Sequence, residues 1–123
     1  YLEYLEKAEL VSVLRMKANG DAILRKMDKL YLQNSNMSYV LSGENPDTGN
    51  ARETIFYCWT KQKYDTVESP VSDFEIDGKT FEVGGRNKGK KQISNLEDAY
   101  VVKDTIEYVF DNQVPLWMFG FLY

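Results

Sequence analysis

The sequence predicts an α/β (α+β) fold in which short helices alternate with β-hairpins. Three observations point to it. Apolar residues near the start recur at helical spacing; two turn dipeptides, Asn19-Gly20 and Asp77-Gly78, are flanked by strand-like alternation; and a capped helical run begins near Asn50.

In order along the chain, Leu2, Leu5 and Ala8 or Glu9 line one side of a first helix, with Glu3, Glu6 and Lys7 on the other. Because the chain opens inside this pattern, without an initiator Met, it is expected to be a piece of a longer protein. Asn19-Gly20 favours a two-residue turn, since both central positions of a type I′ turn need positive φ, and it predicts pairing of roughly Val11 to Ala18 with Asp21 to Lys26. A helix followed by a basic-edged hairpin is how the end of a winged helix reads, and two interpretations follow. Either Arg15, Lys17, Arg25 and Lys26 approach phosphates, or they are solvated; Glu3, Glu6 and Glu9 favour the second.

The run "KLYLQNSNMSYVL" reads as a short strand and a short helix, and "SGENPDTGN" as a surface loop. Asn50 then starts a helix, with Glu53 placed to complete a capping box and Ile55, Phe56, Cys58 and Trp59 on its buried side. "AYVVKD" reads as a buried strand, with Lys103 at its end. Tyr100, Tyr108, Trp117, Phe119, Phe121 and Tyr123 crowd the last quarter, where core packing explains them better than a partner surface.

Composition removes several functions. With 123 residues and 43 % of them hydrophobic, one compact core is affordable, and no run nears the ~20 apolar residues of a membrane-spanning helix. A net charge of −4 argues against nonspecific coating of nucleic acid, although a local basic patch is compatible with it. One cysteine and no histidine rule out an intramolecular disulfide, Ser-His-Asp and Cys-His catalysis, and the usual zinc sites; a reducing cytoplasm is the expected compartment.

The segment "DFEIDGKTFEVGGRNKGKK" carries the chemistry. A two-residue turn at Asp77-Gly78 sets Ile76 opposite Lys79, Glu75 opposite Thr80, Phe74 opposite Phe81 and Asp73 opposite Glu82. Phe74, Ile76, Phe81 and Val83 then share a core face, and Asp73, Glu75, Thr80 and Glu82 the other. Two opposed carboxylates with Cβ atoms ~5 Å apart repel and call for compensation. A divalent cation with oxygen ligands such as Mg²⁺, a nearby Lys or Arg, a raised pKa, or solvent screening would each supply it.

Asp73 on one strand with Glu82 in "TFEVGG" on the next resembles the PD-(D/E)XK nuclease-like core. More narrowly, "GNARETIFY", "SDFEIDGKTFEVGGRNKGKKQI" and "VPLWMFGFLY" resemble the C-terminal region of bacterial AAA+ type ATPases of unknown role. The resemblance implies a winged-helix end over residues 1–33 and, over 34–123, a restriction-endonuclease-like mixed sheet flanked by helices. It also implies an ATPase module in the same parent chain and Mg²⁺ as the cofactor of an active site, held by Asp73 and Glu82, with Glu53 matching an acid often found on the first helix.

The match breaks at Gly84, where an active member carries the lysine that orients the attacking water. Lys88 is the candidate substitute, with Arg86 second; alternatively the basic loop merely pairs with the acids. Catalysis is therefore not expected of this chain. Its readings are a degenerate module for nucleic-acid or protein recognition, in which Arg86, Lys88, Lys90 and Lys91 meet nucleic acid; an Mg²⁺-dependent nuclease with catalytic Asp73, Glu82 and Lys88; and a structural interaction module. The GxxxxGK[ST] phosphate loop is absent, so ATP binding would belong to the parent chain alone.

Overall fold

The computed structural model describes residues 1–17, 29–88 and 93–122. It is a mixed α+β structure, with a two-stranded and a five-stranded sheet around a buried helix. The elements are α1 (Leu2–Lys7), β1 (Val11–Leu14), β2 (Lys29–Leu32), α2 (Ser35–Leu41), α3 (Thr48–Thr60), β3 (Thr66–Glu68), β4 (Phe74–Ile76), β5 (Lys79–Gly84), β6 (Ala99–Lys103), β7 (Gln113–Pro115) and a 3₁₀ helix, Leu116–Phe121. Among the described residues, no helix is long and apolar enough to cross a membrane.

The large sheet has the order β3-β4-β5-β6-β7; the first three strands run antiparallel, and β5, β6 and β7 run parallel. The central hairpin has the expected register: Phe74 faces Phe81, Glu75 faces Thr80 and Ile76 faces Lys79. Asp77 at φ 50° and Gly78 at φ 78° make the bend, which is why an Asp-Gly pair stands there. Phe74, Ile76, Phe81 and Val83 are buried together as expected, against Phe56 and Tyr57 of α3.

The other face narrows the open alternatives, because solvent does not reach the second acid: Thr80 is buried, and Glu82, opposite Val101 in the parallel register, is only 1 % exposed. Val101, Ala99 and Ile93 form a second apolar cluster on this side. A carboxylate in such surroundings must find partners within the protein.

Two corrections concern the first half. Asp47, not Asn50, caps α3, its side chain accepting from the Asn50 N–H at 2.9 Å, so the helix begins at Thr48 and Glu53 lies in the second turn, released from any capping box. Replacing Asp47 with alanine is expected to cost about 1 kcal/mol, read from the midpoint of urea denaturation.

β1 pairs with β2, from Val11 opposite Leu32 to Leu14 opposite Lys29, a register shifted by four residues from the one a two-residue Asn19-Gly20 turn sets; the expected partners 21 to 26 lie outside the described residues. The Asn19-Gly20 turn itself, Arg25 and Lys26 lie outside the described residues. Leu14 and Tyr31 enter the same cluster as Phe56, Phe74 and Val102. The Tyr57 hydroxyl donates to the Val13 carbonyl at 2.8 Å, and the Glu68 N–H donates to the Arg15 carbonyl. The small sheet is thereby fastened to α3 and to β3.

The basic residues near it that are described are paired internally: Arg15 with Glu6 at 3.0 Å and Lys17 with Glu75 at 3.5 Å. At the C-terminus, Phe119 and Tyr100 pack on the core as expected, but Tyr108, Trp117 and Phe121 are exposed. Tyr123 lies outside the described residues.

Candidate functional site: an acid pair closed by a loop lysine

Three local structures converge at the ends of β4 and β5. Ser69, itself buried, accepts hydrogen bonds from the backbone N–H groups of Val71 and Ser72, which curls the chain just ahead of β4. That curl delivers Ser72 and Asp73. The Asp73 Oδ2 accepts from the Val83 N–H at 2.8 Å, and the Ser72 hydroxyl donates to Glu82 Oε2. After β5 the chain turns at once, with the Lys88 N–H donating to the Gly85 carbonyl at 3.1 Å, so Lys88 folds back over the strand it has just left.

The ammonium of Lys88 then stands 2.8 Å from Glu82 Oε1 and 3.7 Å from Asp73 Oδ2. Asp73, Glu82 and Lys88 are thus brought together. The side chain of Lys88 can lie so close only because residue 84 is glycine: a Cβ there would fall 2.5 Å from Lys88 Cβ and Cγ and 2.6 Å from its Cδ.

Glu53 comes from α3 and accepts from the Tyr31 hydroxyl at 2.7 Å, a contact made by β2. Burial pushes the Glu53 carboxyl above the usual range; the Tyr31 hydrogen bond opposes this, and the charge of Asp73 adds to it. Asp73 is also pushed up, first by burial and then by Glu82, against the pull of the Val83 N–H and Lys88. For Lys88, burial favours loss of the proton, yet the hydrogen bond to Glu82 and the charges of Asp73, Glu82 and Glu53 outweigh it, and the ammonium is held above the usual lysine range.

The raised Asp73 pKa has a sign that can be tested. The folded chain keeps this proton to higher pH than the unfolded chain does, so stability falls as pH rises from the ordinary aspartate value of 3.8 through the raised one. Asp73→Asn keeps an acceptor for Val83 and removes the titration. Its stability relative to the native chain is expected to improve as pH rises from the ordinary aspartate value of 3.8 through the raised one and to level off above it, in denaturant melts.

A cleft of about 550 Å³ opens beside the acids, lined by Thr48, Gly49, Arg52, Glu53, Gly84, Gly85, Arg86 and Lys88 among others. Arg52 bonds Asp104 through Nε, and its guanidinium lies against Gly85, which joins α3 to the segment after β6 across the cleft floor. Arg86 is on this rim, whereas Lys90 and Lys91 lie outside the described residues. Lys103 ends β6 opposite Gly84.

The donor set does not suit Mg²⁺ as arranged. An octahedral ion needs oxygen ligands at about 2.1 Å. Both Glu82 oxygens are already engaged, by Lys88 and Ser72, and among the described residues no group of three or more acids or cysteines is gathered to hold a metal.

Nothing in the sequence pattern marks Ser72 as a partner of Glu82. Tyr31 was legible in principle, because a buried tyrosine requires an acceptor for its hydroxyl. No family model, curated protein or solved structure matches this chain.

Proposed function

We propose that the chain is the C-terminal accessory region of a bacterial AAA+ type ATPase, with a winged-helix end over residues 1–33 and a restriction-endonuclease-like domain over 34–123. In this reading the nuclease-like site has lost catalysis and the module recognises nucleic acid or protein for the ATPase module of the same chain, in the cytoplasm. The observation that carries it is that both oxygens of the buried Glu82 are already engaged, one by the Lys88 ammonium and the other by the Ser72 hydroxyl. Asp73 just ahead of β4 and Glu82 in the antiparallel β5, next to a parallel strand and a helix that contributes Glu53, support the nuclease-like ancestry. The engaged Glu82 oxygens support the loss of activity.

With Lys88 committed to the acids, nucleic-acid contact falls to Arg86, Lys90 and Lys91. Fluorescence titration of labelled single- and double-stranded DNA tests this. Binding should weaken with added salt, and changing the three residues to alanine should lower the magnitude of the log–log salt slope by up to about 0.9 per lost phosphate contact on duplex DNA. No binding at low salt would assign the module to a protein partner. DNA cleavage with Mg²⁺ that disappears in Asp73→Ala would replace the inactive reading with the nuclease one, for which the nearness of Lys88 to both acids is the favouring geometry.

A further inference from the structure

The relation between Gly84 and Lys88 goes beyond a missing lysine. Had the strand lysine simply been lost, the space beside residue 84 would be empty. Instead that space holds the Cβ, Cγ and Cδ of Lys88, too close to admit even a methyl group on residue 84. The turn closed by the Lys88 N–H on Gly85 aims the side chain, and its ammonium ends on Glu82 and Asp73.

We propose that Lys88 is a tethered counter-cation that occupies the place of a divalent metal ion between Asp73 and Glu82, and that Gly84 is the residue that admits it. This inference deepens the inactive reading of the site and rests on the acid pair alone, not on the AAA+ context.

Two physical consequences separate it from an ordinary surface ion pair. Glu82 is 1 % exposed, so its charge cannot be left to water and must be met by whichever cation is present. A metal ion and the ammonium would approach the same Glu82 oxygen, so occupancy by one excludes the other. Lys88 comes from a turn at the strand end and keeps over a third of its side chain exposed, which gives it a route out that a lysine in the strand would lack. The acid pair is therefore a cation site whose internal occupant is exchangeable for a divalent ion only at a large loss of metal affinity.

The test is calorimetric titration of MnCl₂ and MgCl₂ into the 123-residue chain and two variants, each checked for folding by circular dichroism. Lys88→Met keeps the stem beside Gly84 and removes the charge. Gly84→Ala keeps the charge and drives the stem out. Both are expected to bind Mn²⁺ at one site at least ten-fold more tightly than the native chain, with paramagnetic broadening of the Val83 amide resonance marking the location. Equal or tighter metal binding by the native chain would overturn the proposal, because ammonium and metal would then sit side by side. So would the absence of Mn²⁺ binding in a folded Lys88→Met chain, because the acids would then never form a metal site. Neither result alters the DNA titration, so failure here is distinguishable from failure of the recognition reading.

Discussion

Phe56→Ala is expected to destabilise the protein by about 4 kcal/mol and to lower its thermal midpoint by about 15 °C. Phe56 is fully buried at the centre of the aromatic core, with ring centroids 4.8 Å from Phe119, 5.0 Å from Phe74 and 5.5 Å from Phe81. Removing the ring opens a cavity among side chains from α3, β4, β5 and the 3₁₀ helix at once. These elements cannot all collapse inward together. Phe121→Ala is the control: at 63 % exposed, its loss should change stability by less than about 0.5 kcal/mol. Because α3 also carries Arg52 and Glu53, the core substitution should loosen the cleft. Urea denaturation monitored by circular dichroism measures both variants.

The second large effect is expected at the site. Lys88→Met should lower stability by about 2 kcal/mol at neutral pH, since it takes the ammonium away from the buried Glu82; the partial exposure of the ammonium holds the value below that of a fully buried pair. The pH dependence carries a definite sign. The Lys88 pKa is raised in the folded state, so its contribution is complete below the ordinary lysine value of 10.5 and is lost as pH rises through the raised value. On the alkaline side the native chain should accordingly lose its advantage over Lys88→Met only in strongly alkaline solution, and on the acid side as the carboxyls take up protons. An unchanged midpoint at neutral pH would mean that the ion pair contributes nothing.

The central hairpin was legible because a two-residue turn leaves no freedom: once Asp77 and Gly78 take positive φ, every cross-strand partner from Phe74 to Phe81 follows by counting. The start of α3 was not, because Asp47 and Asn50 are equally good caps by type, and the Asn50 to Glu53 spacing imitates a capping box. The first hairpin shows a different limit. A two-residue bend at Asn19-Gly20 would set Val11 opposite Asp28, whereas Leu32 stands there, four residues further on. What selects the observed register is tertiary: it puts Leu14 and Tyr31 into the shared core and the Tyr31 hydroxyl on Glu53. Local turn preference carries no information about either.

The site was half legible. Spacing across the turn identified Asp73 and Glu82, and the resemblance added Lys88; the three converge, but the depth of Glu82 came from the apolar cover on the second face of the sheet. Gly84 carried the larger lesson. Considered as a single position it is a deletion of function; considered with the turn that follows, it is the space that another lysine fills.

The most direct measurement is a high-resolution crystal structure of the native chain grown with millimolar MnCl₂, with anomalous data collected for manganese. The account predicts ordered Lys88 density within hydrogen-bonding distance of Glu82 and no anomalous peak between the two acids. A manganese peak bridging Asp73 and Glu82, with Lys88 swung away or lying beside the ion, would contradict it.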